Sequence, residues 1–204
     1  MRFFIIFSIF CLLPTLTRAQ TTESTRSMSI QAGLSFSTTS SDETDYQTGS
    51  ILKASVLLPI TTRLSTRVGL GWVQKGESLE ALGIKVGFTA NYLSIPALLS
   101  INPTSSLRLM AGPVLSFSIG CSASASVEDI DINLDCDEFE DASDLVNPVD
   151  LSVMAGIGVD IPVSRTISLS VDAAYDFGLT EAYSDETQNR SFLLAAGVRF
   201  PLGR

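Results

Sequence analysis

The sequence predicts an all-β fold, an eight-stranded antiparallel up-and-down transmembrane β-barrel, and three observations carry that expectation. First, residues alternate in character almost without a break from Asp150 to Phe177. Leu151, Val153, Ala155, Ile157, Val159, Ile161 and Val163 share one parity, against Asp150, Ser152, Met154, Gly156, Gly158 and Asp160. Beyond the short turn Ser164-Arg165-Thr166, Ile167, Leu169, Val171, Ala173, Tyr175 and Phe177 oppose Ser168, Ser170, Asp172, Ala174, Asp176 and Gly178. A period of two puts each set on one face of a sheet. Each run slightly exceeds the roughly 9 to 11 residues that a tilted strand needs to cross a bilayer. Second, mean hydropathy is +0.32, yet no stretch beyond the N-terminal run reaches the roughly 18 apolar residues of a helical span. A barrel reconciles the two, because its lipid face is apolar at alternate residues only. Third, connections alternate in length, being short near Pro59–Thr62, Asn102–Ser106 and Ser164–Thr166. They are long and polar near Thr38–Thr48, Lys75–Lys85, Cys121–Pro148 and Thr180–Asn189. Such barrels place short turns in the periplasm and long loops outside the cell.

The N-terminus has a positive start at Arg2, an apolar run from Phe3 to Leu13 and the small-residue exit Thr17-Arg18-Ala19. This reads as a secretory signal peptide over residues 1–19, leaving one barrel domain over residues 20–204. Cys11 follows bulky Phe10 and reads as a leader residue, not a lipid-attachment cysteine.

The remaining strands are expected in order. Over Ser27–Ser37, Met28, Ile30, Ala32, Leu34 and Phe36 face away from Ser29, Gln31, Gly33 and Ser35. In Ile51–Leu58, Leu52, Ala54, Val56 and Leu58 oppose Lys53 and Ser55, while Ile51 and Leu57 fit the polar side poorly. Arg63–Lys75 sets Leu64, Thr66, Val68, Leu70 and Trp72 against Arg63, Ser65, Arg67, Gly69 and Gly71. Lys85–Ile101 changes parity, since Phe88, Ala90 and Tyr92 precede Leu93, Ile95, Ala97, Leu99 and Ile101, and a β-bulge near Tyr92 is expected to repair it. Leu107–Gly120 and Arg190–Phe200 complete the set. Pro96 and Pro113 fall inside paired strands, where local bulges are expected because proline lacks a donor. Phe36, Trp72, Phe117, Tyr175, Phe177 and Phe192 sit at the long-loop ends, where an interfacial girdle belongs. A lipocalin-type barrel would need large apolar residues on the inner face, and a β-sandwich a Lys- and Glu-rich surface. The second face here is mostly Ser, Gly, Ala and charge.

Formal net charge is −9, and the two basic residues of the leader leave twice as many acids as bases in the mature chain. Nucleic acid is therefore not an expected partner. The chain has no histidine, which excludes Ser-His-acid hydrolases and His-ligated metal sites. No spacing singles out a Ser-Lys pair or paired carboxylates, so neither catalysis nor a cofactor is expected.

On the inward parity fall Lys53, Arg67, Arg108, Asp172, Asp176 and Arg199, charges expected to pair in the lumen because Arg or Lys facing lipid near the midplane costs about 2–4 kcal/mol. An eight-stranded interior is only wide enough for its own side chains, so no open pore is expected. The segment Cys121–Asp150 holds ten of the 22 acids and no Lys or Arg. Within it Asp129, Asp131, Asn133, Asp135, Asp137 and Glu140 fall at ligand positions of a twelve-residue calcium loop. Leu134 stands where that loop turns on glycine, so no metal is assigned, and a hairpin extending past the membrane is the plainer expectation. Cys121 and Cys136, the two cysteines outside the leader, are expected to form a disulfide in an oxidising compartment.

Four phrases resemble the PorT-like outer-membrane β-barrel family of Gram-negative bacteria: Gly71-Trp72-Val73-Gln74-Lys75-Gly76, Asn91-Tyr92-Leu93-Ser94-Ile95-Pro96-Ala97-Leu98-Leu99, Ala111-Gly112-Pro113 and Gly197-Val198-Arg199-Phe200. Ser94 stands where that family often has an acid, and the chain runs past Phe200 instead of ending on an aromatic. The resemblance implies an eight-stranded barrel in the outer membrane, in contact with its lipid. It also implies a non-catalytic role as scaffold or accessory component in envelope assembly or export, with an envelope or export-machinery partner. The acidic, disulfide-closed segment points instead to a surface-interaction protein that meets cations or a partner.

Overall fold

The computed structural model describes residues 26–40, 45–81, 84–127, 130–135, 147–181 and 187–202. The leader expected over residues 1–19 lies outside them. Nine strands form one antiparallel sheet: β1 (Ser27–Thr39), β2 (Asp45–Pro59), β3 (Leu64–Ala81), β4 (Ile84–Ile101), β5 (Leu107–Val127), β6 (Ile130–Asp135), β7 (Val149–Pro162), β8 (Ser168–Glu181) and β9 (Gln188–Pro201). Each barrel strand pairs with its neighbour in the chain, β1 pairs with β9, and the β4–β5 ladder completes the circle. Eight strands make the wall. The ninth, β6, pairs with β5 above the point where β7 takes over, since Ser122 faces Asp135 while Phe117 faces Val149. Closure of an up-and-down sheet removes the edges that lipid could not satisfy.

The three short turns use one local device. Thr61, Thr104 and Ser164 each accept, through the side-chain hydroxyl, the backbone N–H groups two and three residues on, at 3.0–3.4 Å. A hydroxyl at the head of the turn thus satisfies donors that the ladder leaves behind.

Alternation places Ile30, Leu34, Leu52, Leu70, Ile157, Leu194 and Val198 outward and exposed, as the lipid band requires. Phe36 lies opposite Phe192 with ring centroids 6.4 Å apart, and Phe192 lies opposite Tyr175. On β3, β4 and β5, Trp72, Leu93 and Phe117 form a second such rung.

Three expectations are corrected. First, β4 keeps its register against β3 throughout; the bulge lies on β5, where Asn91 faces Gly120 but Tyr92 faces Ser118, leaving Ile119 as the extra residue. Phe88, Ala90 and Tyr92 are inward residues of an apolar interior, so β4 never changes parity. The bulge instead reverses β5, turning Cys121 to pack against that interior. Second, the prolines make gaps, not bulges. The β3–β4 ladder skips from Val68–Ala97 to Gly71–Ser94 beside Pro96, and the β4–β5 ladder from Pro96–Val114 to Leu99–Ala111 beside Pro113, with no register shift at either place. Each missing donor is absorbed by two unpaired rungs. Third, Lys75–Ala81 and Ile84–Lys85 are strand, since β3 and β4 stay paired as far as Ala81 and Ile84; β5, paired to Val127, forms with β6 an antiparallel hairpin of the kind expected past the membrane.

Candidate functional site

Two clusters of buried charge occupy the lumen. Near the short turns, Asp172 on β8 accepts from Arg67 Nη1 at 2.7 Å, Lys53 Nζ at 3.2 Å and Arg108 Nη2 at 2.5 Å. Asp160 on β7 accepts from Arg108 Nη1 at 2.5 Å and from Arg199 Nη1. Arg67 also donates to Ser55 Oγ at 2.8 Å, Gln31 Oε1 at 2.5 Å and Ser29 Oγ at 3.2 Å. The small residues of the inner face make room for these long side chains. At Gly158 an added Cβ would collide with the Arg108 guanidinium and the Asp172 carboxylate. Four cations share two carboxylates, an excess of positive charge.

At the opposite end, Lys75 Nζ donates to Asp150 Oδ2 at 3.0 Å and Asp176 Oδ2 at 2.7 Å, and lies 5.5 Å from the centroid of the Tyr92 ring. Asn189 Nδ2 and Thr180 Oγ1 donate to Asp150 at 3.1 and 3.2 Å. Here two carboxylates share one cation, an excess of negative charge. Removing a carboxylate from the first group, or the cation from the second, leaves uncompensated buried charge, which costs far more than the intact arrangement contributes.

Between the clusters lies an apolar layer built from Ile51, Val73, Leu98, Met110, Val114, Met154 and Leu193. Ile51, which fits the expected pattern poorly, points inward here and is 6% exposed. A cavity of about 40 Å³ within the layer is lined by apolar side chains, with Lys53 and Arg67 on one side and Asp176 on the other. The six luminal charges expected from parity are therefore not one network. Lys53, Arg67, Arg108 and Asp172 meet directly, Arg199 joins them through Asp160, and Asp176 belongs to the other end. Sequence reasoning left out Lys75, Asp150 and Asp160. Asp160 shares the parity of Gly156 and Gly158, and Lys75 that of Arg67 and Gly71, so parity alone marks both. Asp150, counted with the solvated acids of the loop, is fully buried. Its position at the first inward site of β7 puts it in the barrel mouth.

Of the candidate calcium ligands, Asp131, Asn133 and Asp135 lie on β6, opposite Ser126, Ser124 and Ser122 of β5. An extended, laddered backbone does not follow the tight path of a twelve-residue calcium loop. Asp129, Asp137, Glu140 and Cys136 lie outside the described residues.

A closed antiparallel barrel with an apolar outer band, an aromatic belt and a charged interior defines a transmembrane β-barrel protein. The family model described as outer membrane protein beta-barrel domain matches residues 18–184, and the chain belongs to that family. It is an outer-membrane protein, held by the lipid its apolar face requires. No curated protein matches the chain. Among solved structures it is similar to Ail, the attachment invasion locus protein of Yersinia pestis, at 17% identity over 85% of this chain and 98% of that chain, TM-score 0.46. Neisserial surface protein A is similar at 18% identity over 86% and 97%, TM-score 0.45. OprG from Pseudomonas aeruginosa is similar at 9% identity over 88% and 97%, TM-score 0.44.

Proposed function

We propose that this barrel is a non-catalytic surface-interaction protein that carries an acidic, disulfide-closed segment to cations or a partner outside the cell. One observation supports this reading above the others. Past the level of Trp72, Leu93 and Phe117, strands β3, β4 and β5 continue paired to Ala81, Ile84 and Val127, and β6 adds a further strand to them. On the far side, β8 ends at Glu181 and β1 at Thr39, close to their aromatic residues. At about 3.3 Å per residue and the usual tilt, this wall of the barrel rises on the order of 20 Å past its aromatic residues, roughly twice as far as β1 and β8 do past theirs. Among the described residues β6 has a neighbour on one side only. A raised sheet with one edge unpaired among the described residues offers main-chain pairing, and the segment Cys121–Asp150 that carries β6 is strongly acidic in sequence, with nine acids besides the buried Asp150 and no Lys or Arg.

The disulfide between Cys121 and Cys136 belongs to this proposal. Ser122 pairs with Asp135, each one residue from a cysteine, in a ladder whose register is unbroken. Closing a loop of about 15 residues constrains the unfolded chain by roughly 3 kcal/mol. Mass spectrometry of unreduced, protease-digested protein is expected to find the two cysteine peptides linked. Quantitative alkylation of both thiols in freshly isolated protein would refute the bond.

The PorT-like phrases, above all Tyr92-Leu93-Ser94-Ile95-Pro96-Ala97-Leu98-Leu99, favour the second reading, a scaffold or accessory component in envelope assembly or export. Photo-cross-linkers separate the two readings in native membranes. Capture of a partner from positions on β6 supports the surface role. Capture only from Ser164–Thr166 or Asn102–Ser106 contradicts it and supports the export role.

A further inference from the structure

We infer that the periplasmic mouth of the barrel is an oxyanion-binding site, one that takes a phosphate group. The site goes beyond the surface reading, since it lies at the opposite end of the molecule. A concavity of about 460 Å³ opens there, lined by Arg63, Arg199, Asn102, Thr104, Ser105 and Asp160, with Thr62, Leu57 and Pro103 at its rim. It lies directly under the cluster in which Lys53, Arg67, Arg108 and Arg199 share Asp160 and Asp172. That excess of positive charge is shielded from bulk water, where solvent screens it poorly.

Unused donors accompany the charge. Among the described residues, the fully buried Arg108 has no hydrogen-bond partner for its Nε, and Arg199, which uses Nη1 on Asp160, has none for its Nε and Nη2. Arg63, exposed on the turn, forms no ion pair among the described residues. Among the described residues Asp160 is the one carboxylate lining the concavity; it already serves two guanidinium groups, though its Oδ1 has no hydrogen-bond partner. Arg199 and Arg63 both line the concavity, and the Thr104 and Ser105 hydroxyl groups beside them complete a donor set. Arginine forks bind phosphate through paired charge-assisted hydrogen bonds. The bound anion brings the cluster nearer to neutrality, which a free guanidinium pair cannot do. Phosphate reaches this end of the barrel as a free periplasmic ion or as a phospholipid headgroup of the inner leaflet.

The test titrates inorganic phosphate into the purified, refolded full mature chain in zwitterionic detergent, with chloride adjusted to hold ionic strength constant. The expected result is saturable single-site binding and a rise in thermal midpoint that equal ionic strength of chloride does not produce. Arg63→Gln, on an exposed turn and folding normally, weakens binding about tenfold, as does Arg199→Gln where it folds. Nanodiscs distinguish the sources. Stabilisation by phosphatidylglycerol over phosphatidylcholine that is lost in Arg63→Gln, without binding of inorganic phosphate, assigns the headgroup; binding of inorganic phosphate assigns the free ion. The inference is overturned if neither probe stabilises the protein beyond chloride, or if Arg63→Gln responds to both as the unmodified chain does.

Discussion

Asp172→Asn is expected to destabilise the folded barrel by about 3–5 kcal/mol, the range for removing one partner of a buried ionic group. Asp172 is 1% exposed and is the acceptor for Lys53, Arg67 and Arg108 together. Asparagine keeps the size of the side chain and removes its charge, so three cations lose their common counter-charge at once and only Asp160 remains. Removing a cation is expected to cost less, because the cluster has cations to spare. After Arg108→Leu, Asp172 retains Lys53 and Arg67 while Asp160 retains Arg199, and the expected cost is about 1–3 kcal/mol. Urea midpoints of the refolded proteins, read by the gel shift between folded and unfolded barrel, give the order. Equal midpoints for Asp172→Asn and the unmodified chain would show the cluster to be solvated.

No sustained ionic current is expected when the purified barrel is inserted in a planar bilayer. Ile51, Val73, Leu98, Met110, Val114, Met154 and Leu193 fill the cross-section between the two charged ends, and the cavity of about 40 Å³ among them is apolar. An ion crossing this layer sheds its water without receiving ligands, the condition under which apolar constrictions close a channel. Insertion is verified separately by protection of the strands from protease in the same vesicles. Stable, reproducible channel steps from inserted protein would show that the layer opens.

The strands whose outer face is continuously apolar were legible from alternation alone. β7 and β8 are the clearest cases: every residue from Asp150 to Gly178 that the period of two assigns inward lies on the luminal parity, with Asp150, Asp172 and Asp176 buried. Legibility fails where the membrane stops selecting for it. Past Trp72 and Gly120 the strands run through Gly76-Glu77-Ser78 and Ser122-Ala123-Ser124-Ala125-Ser126, which need no lipid face and so carry no large apolar side chains at alternate positions. The first stretch reads as loop although it is paired, while the second is legible only as one arm of a hairpin with no fixed ends. A second failure comes from inside. The pattern assumes a polar lumen, so the apolar inward residues Ile51, Phe88 and Tyr92 look like errors of register when they are parts of the interior layer. The division of the luminal charges into two ends follows from their heights along the barrel, which parity does not encode.

Epitope accessibility on intact cells tests most directly whether the chain spans the outer membrane with its raised sheet outward. One tag is placed in the β5–β6 connection, between Val127 and Ile130, and another in the short turn Ser164–Thr166, in otherwise identical full chains. Labelling of the first tag on intact cells, with the second reached only after the outer membrane is permeabilised, is the predicted result. Labelling of the short turn alone on intact cells, or of neither tag in folded protein recovered from the outer-membrane fraction, would contradict it.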